Sequence, residues 1–188
     1  MKNNTKKLVT AALLSALIII LQLIAGNIRI GPASITLALA PILVGIGLYG
    51  IGMGAFLGFV FSVAVLIDPA TQVFFAANAL MTVVIVIAKG TVSGYLAACA
   101  YKALAKKSEL AGVIAAGIVM PIINTWIFVL GASFFFLEVF GIDPATTSGF
   151  AAVIPIVSMI IVNFVVELAV NLLLSTSLVT AIKATRKL

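Results

Sequence analysis

NALMTVVIVIAKGTVSGYLAACAYKAL, residues 78–104, is a predominantly apolar segment with two charged residues: Lys102 near its end and Lys89 near its middle. A helix needs about 20 apolar residues to cross a hydrocarbon core of about 30 Å, so this segment is long enough to span a membrane. A charge at that depth costs about 3 kcal/mol or more unless it faces a cavity or a partner. The segment therefore predicts both a membrane protein and an internal polar site.

The rest of the chain is also predominantly apolar. Of its 188 residues, 64% are hydrophobic and 9% are charged, which is too little charge to coat a water-soluble domain. We predict an all-α membrane protein that is one domain over residues 1–188, a six-transmembrane-helix bundle with spans at 8–25, 35–49, a third ending at 67, 78–104, 110–137 and 151–182. Loops are predicted at 27–34, 68–77 and 138–149. The basic N-terminus before the first apolar run resembles a signal peptide, but we interpret it as part of a retained first helix.

The basic residues predict the orientation of the bundle. Nine of the eleven Lys and Arg residues form three clusters: Lys2, Lys6 and Lys7; Lys102, Lys106 and Lys107; Lys183, Arg186 and Lys187. These clusters share one side of a membrane if the chain crosses it six times, and the positive-inside rule makes that side cytoplasmic. Both termini are thus predicted to be cytoplasmic. Clusters that flank apolar segments act as membrane anchors, so the net charge of +6 does not predict nucleic-acid binding.

Polar side chains around Lys89 are candidate substrate ligands. Asn78, Thr82 and Lys89 recur at spacings of four and seven residues, which places them on one face of a helix. The lysine ammonium is a compact donor suited to a carboxylate or phosphate. The alternative is a structural ion pair between Lys89 and Glu167 of the last span.

The last two spans carry further candidates. Asn163, Glu167 and Asn171 form a polar stripe at intervals of four, of which Asn163 is the best ligand candidate because it is nearest the outer face. Interhelical hydrogen bonding explains the stripe as well as ligand contact does. Asn124 and Trp126 of the fifth span are also candidate pocket residues.

Asn124 and Trp126 each have a simpler explanation than ligand binding. Gln22 of the first span is a weaker candidate ligand. Asn124 is close enough in sequence to Pro121 to satisfy the backbone carbonyl that a proline leaves unpaired. Trp126 is too deep for an interfacial belt, and packing explains it as well as a pocket wall does.

Several functions are excluded by what the sequence lacks. It has no His and one Cys, so we predict no metal site, no cofactor and no Ser–His or Cys–His nucleophile. There is no GxxxxGK[ST] loop with which to hydrolyse ATP. We therefore predict a protein that is not an enzyme.

Several segments resemble the substrate-binding S components of energy-coupling factor (ECF) vitamin transporters, over essentially the full chain. One feature is the pair of small residues Ala12 and Ala16 on the first span, at a spacing that permits close helix approach. The others are the blocks ITLALAPILVGIGLYG (35–50), NALMTVVIVIAKGTVSGYLA (78–97) and MPIINTWIF (120–128). The last two are most similar to the pantothenate-type branch.

The resemblance implies a mechanism and partners. Such a protein resides in a bacterial cell membrane as a multi-pass subunit and binds a small-molecule vitamin near the outer face. It then docks through Ala12 and Ala16 on a transmembrane coupling subunit driven by two cytoplasmic ATPases, and it topples in the membrane lipid to deliver the vitamin. Pantothenate is the expected ligand, because Lys89 suits its carboxylate and the asparagines suit its hydroxyl and amide groups. Biotin, folate, riboflavin, hydroxymethylpyrimidine and thiamine are alternatives.

Two other classes of function stay open. A stand-alone ion-coupled carrier would use Lys89 and Glu167 as a relay, although six spans without an evident inverted repeat make this less attractive. A structural membrane protein would use its polar stripes only to join helices. It predicts no ligand binding at all.

Overall fold

The computed structural model describes residues 2–25, 29–30, 33–34 and 38–186. Six α-helices follow one another in these segments: α1 Lys2–Ala25, α2 Leu39–Tyr49, α3 Ile51–Leu66, α4 Gln72–Leu104, α5 Glu109–Phe135 and α6 Val153–Arg186. The all-helical prediction is confirmed. A minimal hairpin of β1 Arg29–Ile30 and β2 Ala33–Ser34 lies in the predicted first loop. The rest of that loop, the predicted start of the second span at Ile35, and Lys187 lie outside the described residues.

The helices differ in length. Four of them (α1, α4, α5 and α6) are long and apolar enough to cross a membrane. The other two, α2 and α3, have 11 and 16 residues, which correspond to about 16 and 24 Å at a rise of 1.5 Å per residue. Gly50 joins α2 to α3 with a φ of +73°, a backbone conformation that favours glycine. The two short helices thus form a tight helical hairpin.

Helices α3 and α4 pack so closely that their backbone atoms are in contact. Gly54 and Gly58 of α3 face Gly90 and Gly94 of α4. A Cβ atom at Gly58 would overlap the carbonyl oxygen of Gly90, and one at Gly94 would overlap that of Gly54. Small residues at such crossings allow extensive van der Waals contact in a membrane, where no hydrophobic force joins helices. This crossing fixes the position of Lys89, the residue before Gly90.

We expect Gly58→Ala to lower the melting temperature of the purified protein clearly, because overpacking of a tight contact costs about 1–3 kcal/mol. Gly52→Ala is the matched control, since nothing lies within 4 Å of the position its Cβ would take. Circular dichroism during heating in detergent measures both. Equal melting temperatures for the two variants would show that the α3–α4 crossing is looser than described.

The loop predicted at 68–77 is shorter than expected. Asp68 caps a 3-10 turn, Pro69–Thr71, and α4 begins at Gln72. The predicted helix start at Asn78 corresponds to a kink within α4, where Asn78 has φ −159° and ψ 97°. Its Oδ1 accepts a hydrogen bond from the backbone N–H of Met81 at 3.1 Å, so it caps the second part of the helix. The turn before it becomes helical because Phe74 packs into an apolar cluster.

A polar network ties helices together at one end of the bundle. Arg186 of α6 forms a salt bridge of 2.8 Å with Glu109 of α5 and donates to the backbone carbonyl of Gly47 in α2. The hydroxyl of Tyr101 in α4 donates to Glu109 at 2.8 Å. Lys102 lies beside this network, and we call this end the basic end.

Two clusters of buried apolar side chains fill the bundle. The larger joins α1 to the helices around it and includes Ile18, Phe61 and Met120. The smaller lies around the 3-10 turns Leu137–Phe140 and Gly149–Ala152, which form the predicted third loop. The candidate site lies where these two clusters meet.

Candidate functional site

A cavity of about 110 Å³ lies inside the bundle, between the two apolar clusters. Helices α1, α3, α4, α5 and α6 and the turn after α3 all contribute side chains to its wall. Its polar lining consists of Gln22, Asp68, Thr71, Thr82, Lys89, Asn124, Thr125, Asn163 and Glu167. Lipid cannot satisfy such groups, so their convergence indicates a site for a polar guest.

Lys89 enters the cavity from the middle of α4. Its ammonium lies 5.1 Å from the centroid of the Phe128 ring, in a cation–π arrangement. The carboxyl groups of Glu167 and Asp68 act on it electrostatically. In the described part of the chain, however, no salt bridge joins Lys89 to either acid. The ammonium is thus held near acids without being bonded to one, which leaves its donors available to a ligand.

Asp68 has structural partners. Its side chain is 1% exposed, and its carboxylate accepts one hydrogen bond from Nε2 of Gln22 at 2.9 Å and one from the backbone N–H of Ala70 at 2.8 Å. The second of these bonds caps the 3-10 turn, and Thr71 reinforces the turn by donating to the carbonyl of Val65. Asp68 therefore fixes α1 against the turn and sets the orientation of the Gln22 amide.

Three buried acceptor atoms in the cavity wall lack a hydrogen-bond partner among the described residues: Gln22 Oε1, Asn124 Oδ1 and Glu167 Oε1. They come from three different helices, α1, α5 and α6. A buried acceptor without a partner costs about 1–3 kcal/mol, so native proteins rarely retain one without a reason. Here all three atoms belong to residues that line the same cavity.

Aromatic rings complete the wall. Five phenylalanines line the cavity: Phe61, Phe74, Phe128, Phe136 and Phe164. Phe74 meets Phe128 and Phe136 edge to face, with centroids 5.5 and 5.2 Å apart. The sequence analysis did not single out these rings. A signal was present for Phe128, which follows Asn124 by four residues and so lies on the same face of α5.

The structure brings four of the predicted ligand residues together. Lys89, Thr82, Asn124 and Asn163 all line the cavity. Thr82 is buried and donates to the backbone carbonyl of Asn78 at 2.8 Å. The inward orientation predicted for the stripe on α6 is confirmed: Asn163, Glu167 and Asn171 are each at least 94% buried.

Two predicted ligand residues lie elsewhere. Asn78 is not part of the cavity wall, because its side chain caps the second part of α4. Trp126 is 49% exposed on the outside of the bundle and does not line the cavity. Two residues along a helix correspond to a rotation of about 200°, so Asn124 and Trp126 cannot face the same side. The placement of Trp126 favours lipid contact.

Ala12 and Ala16, the predicted docking residues, are exposed on α1. The inner face of the same helix is occupied by Ile18, which is fully buried, and by Gln22. The alanine pair therefore forms a flat strip on the outer surface of the bundle, accessible to another helix.

These features define a class: an integral membrane protein whose helices enclose a small polar cavity, as in a membrane-embedded solute-binding subunit. The chain belongs to the family of ECF transporter substrate-specific components, since the model of that family matches residues 6–179. Membership makes it a substrate-binding, non-catalytic transporter subunit that works with membrane-embedded partner components. No curated protein and no solved structure matched the chain.

Proposed function

We propose that this protein is the substrate-specificity subunit of an ATP-driven importer in a bacterial cell membrane. It binds a small vitamin or vitamin precursor in the Lys89 cavity and delivers it through a transmembrane coupling subunit powered by two cytoplasmic ATPases. The observation that carries the proposal is the cavity itself, which holds a lysine and unpaired acceptor atoms inside a lipid-facing bundle. Burying such groups is costly unless a partner satisfies them, and a bound guest would be that partner.

The helix order supports an orientation for the importer. With six crossings, the turn between α4 and α5 and both chain ends lie at the basic end, and Asp68, Glu138 and Asp143 lie at the other. The positive-inside rule then makes the basic end cytoplasmic. The cavity adjoins the turn at Asp68, so it is nearer the outer face.

The size of the cavity favours a compact ligand. Its volume of about 110 Å³ lies below the roughly 300–1,000 Å³ of typical pockets for drug-sized ligands. Pantothenate, biotin and hydroxymethylpyrimidine are smaller than riboflavin and folate, so they suit this cavity better. Pantothenate is our first choice, since Lys89 supplies a donor for its carboxylate and Asn124 and Asn163 supply amides for its other polar groups.

One observation favours a second candidate function. Lys89, Glu167 and Asp68 share one cavity, and such a cluster of acids with a lysine is also suited to a proton or ion relay. A stand-alone ion-coupled carrier built on this cluster would work without ATPases. Reconstitution distinguishes the two functions.

Uptake of radiolabelled vitamin into proteoliposomes tests the proposal. We expect uptake only when the chain is co-reconstituted with an ECF coupling subunit and its two ATPases, and only with ATP present. We also expect these subunits to co-purify with an affinity-tagged chain. Uptake by the chain alone, driven by a proton or sodium gradient, would establish the carrier instead.

A further inference from the structure

The unpaired groups of the cavity wall are acceptors more often than donors. Gln22 Oε1, Asn124 Oδ1 and Glu167 Oε1 are buried without a partner among the described residues, and their side chains are 2–6% exposed. A ligand with acceptors alone would satisfy only Lys89 and leave the other three sites unpaired.

Three polar side chains of the wall do not supply the missing donors. The Gln22 amide is fixed because its nitrogen donates to Asp68, which points its oxygen to the cavity. Glu167 has no salt bridge within the described segments, and its Oε1 has no hydrogen-bond partner among them. The nearby threonine, Thr82, already donates to a backbone carbonyl of its own helix. Water can supply donors to these acceptors, and a guest that displaces the water must bring donors of its own.

We propose that the ligand of this cavity is a donor-rich molecule: it presents hydroxyl, amide or amine hydrogens to Gln22, Asn124 and Glu167, and one acceptor group to Lys89. This inference rests on the proposed function and adds the chemical class of the ligand. Buried acceptors reject an analogue that lacks the matching donor, because they are then left unpaired. Simple aromatic or aliphatic carboxylates, whose only strong polar group is an acceptor, are excluded as ligands.

A matched pair of probes tests the class. Pantothenate carries hydroxyl groups, an amide N–H and a carboxylate, whereas N-(3,3-dimethylbutanoyl)-β-alanine keeps the skeleton, the amide and the carboxylate but lacks the hydroxyls. Nicotinate and lipoate extend the donor-poor set, and pyridoxine and thiamine extend the donor-rich set. Calorimetric titration of the full chain in detergent is expected to show pantothenate binding at least about a hundredfold more tightly than its deoxy analogue, about tenfold for each of the two lost hydroxyl hydrogen bonds, and no donor-poor compound binding as tightly as the best donor-rich one.

The Asn124→Leu variant tests whether the preference for donor-rich compounds arises from the cavity wall. Asn124→Leu removes one acceptor and is expected to reduce the preference for the hydroxylated probe over its deoxy analogue by about tenfold. Asn171→Leu is the matched control: it removes a buried amide from α6 that does not line the cavity, so the preference is expected to stay unchanged. A change in fold stability alone does not alter the ratio of two affinities.

The possible results distinguish a failure of the proposed ligand class from a failure of the proposed transport function. Donor-poor carboxylates that bind as tightly as the donor-rich set overturn the ligand class and leave the transport function in place. The ligand class is also overturned, and the transport function left in place, if the wild-type and Asn124→Leu proteins show the same preference for the hydroxylated probe. If no compound in either set binds, and biotin, folate, riboflavin and hydroxymethylpyrimidine also fail to bind, the function and the class are overturned together. The comparison of probes on the unmodified chain needs no variant, so a misfolded Asn124→Leu protein does not block the test.

Discussion

Lys89→Met is expected to weaken the binding of a carboxylate vitamin such as pantothenate by about 100-fold. Hydrogen bonds to charged groups contribute about 1.5–3 kcal/mol, and each 1.4 kcal/mol corresponds to a factor of ten in affinity. Methionine keeps most of the length of the side chain, so the cavity wall stays filled. The change also leaves Glu167 and Asp68 without the positive charge that acts on them now, which further disfavours an anionic ligand. Isothermal titration calorimetry in detergent measures the loss.

Lys102→Met is the matched control for this substitution. Lys102 lies on the same helix but at the basic end, exposed and away from the cavity. We expect this variant to bind with unchanged affinity. Unchanged affinity in the Lys89→Met protein would remove the lysine from the site and favour a structural role for it.

Combined Ala12→Trp and Ala16→Trp substitutions are expected to abolish vitamin uptake while leaving ligand binding intact. The two alanines are exposed on α1, one helical turn apart. Among the described side chains of this helix, only Gln22, on another face, lines the cavity. Bulky rings at these positions prevent the close approach of a partner helix, and close approach is what small residues provide in membranes. Uptake by cells that also express the coupling subunit and ATPases measures the first effect, and calorimetry measures the second.

Leu13→Trp with Leu17→Trp is the control for added bulk. These leucines have the same four-residue spacing on α1 and are 66% and 43% exposed. They lie about 100° around the helix from the alanines, so their replacement is expected to leave uptake largely unchanged. If the alanine double variant transports as well as this control, docking occurs on another surface.

Much of the fold could be predicted because long apolar runs have few solutions in a membrane. The all-helical architecture follows from the need to satisfy every backbone group in lipid, and Lys89 stands out because a charge at that depth is costly. The prediction of six crossings remains a prediction, since α2 and α3 are shorter than a membrane is thick. The early start of α4 was missed because Asp68-Pro69 is typical of a loop, whereas here it caps a turn that leads directly into a helix.

The site was harder to predict because its contacts join distant parts of the chain. Asp68 was assigned to an outer loop, yet it is buried through a hydrogen bond with Gln22, 46 residues earlier. No local pattern reveals such a pair. The position of Trp126 could have been judged from helix geometry, because it lies almost opposite Asn124 on α5. Phe74 was missed for the same reason as the start of α4, since its segment was predicted to be a loop.

The central claim is that the Lys89 cavity is a ligand site and not a by-product of helix packing. Equilibrium titration of the detergent-purified chain with individual B vitamins, run in parallel on wild-type and Lys89→Met protein, tests it most directly. We expect saturable binding of at least one compact vitamin by the wild-type chain and a loss of about 100-fold in the variant. Absence of binding by every vitamin, or equal affinity in the two proteins, would contradict it.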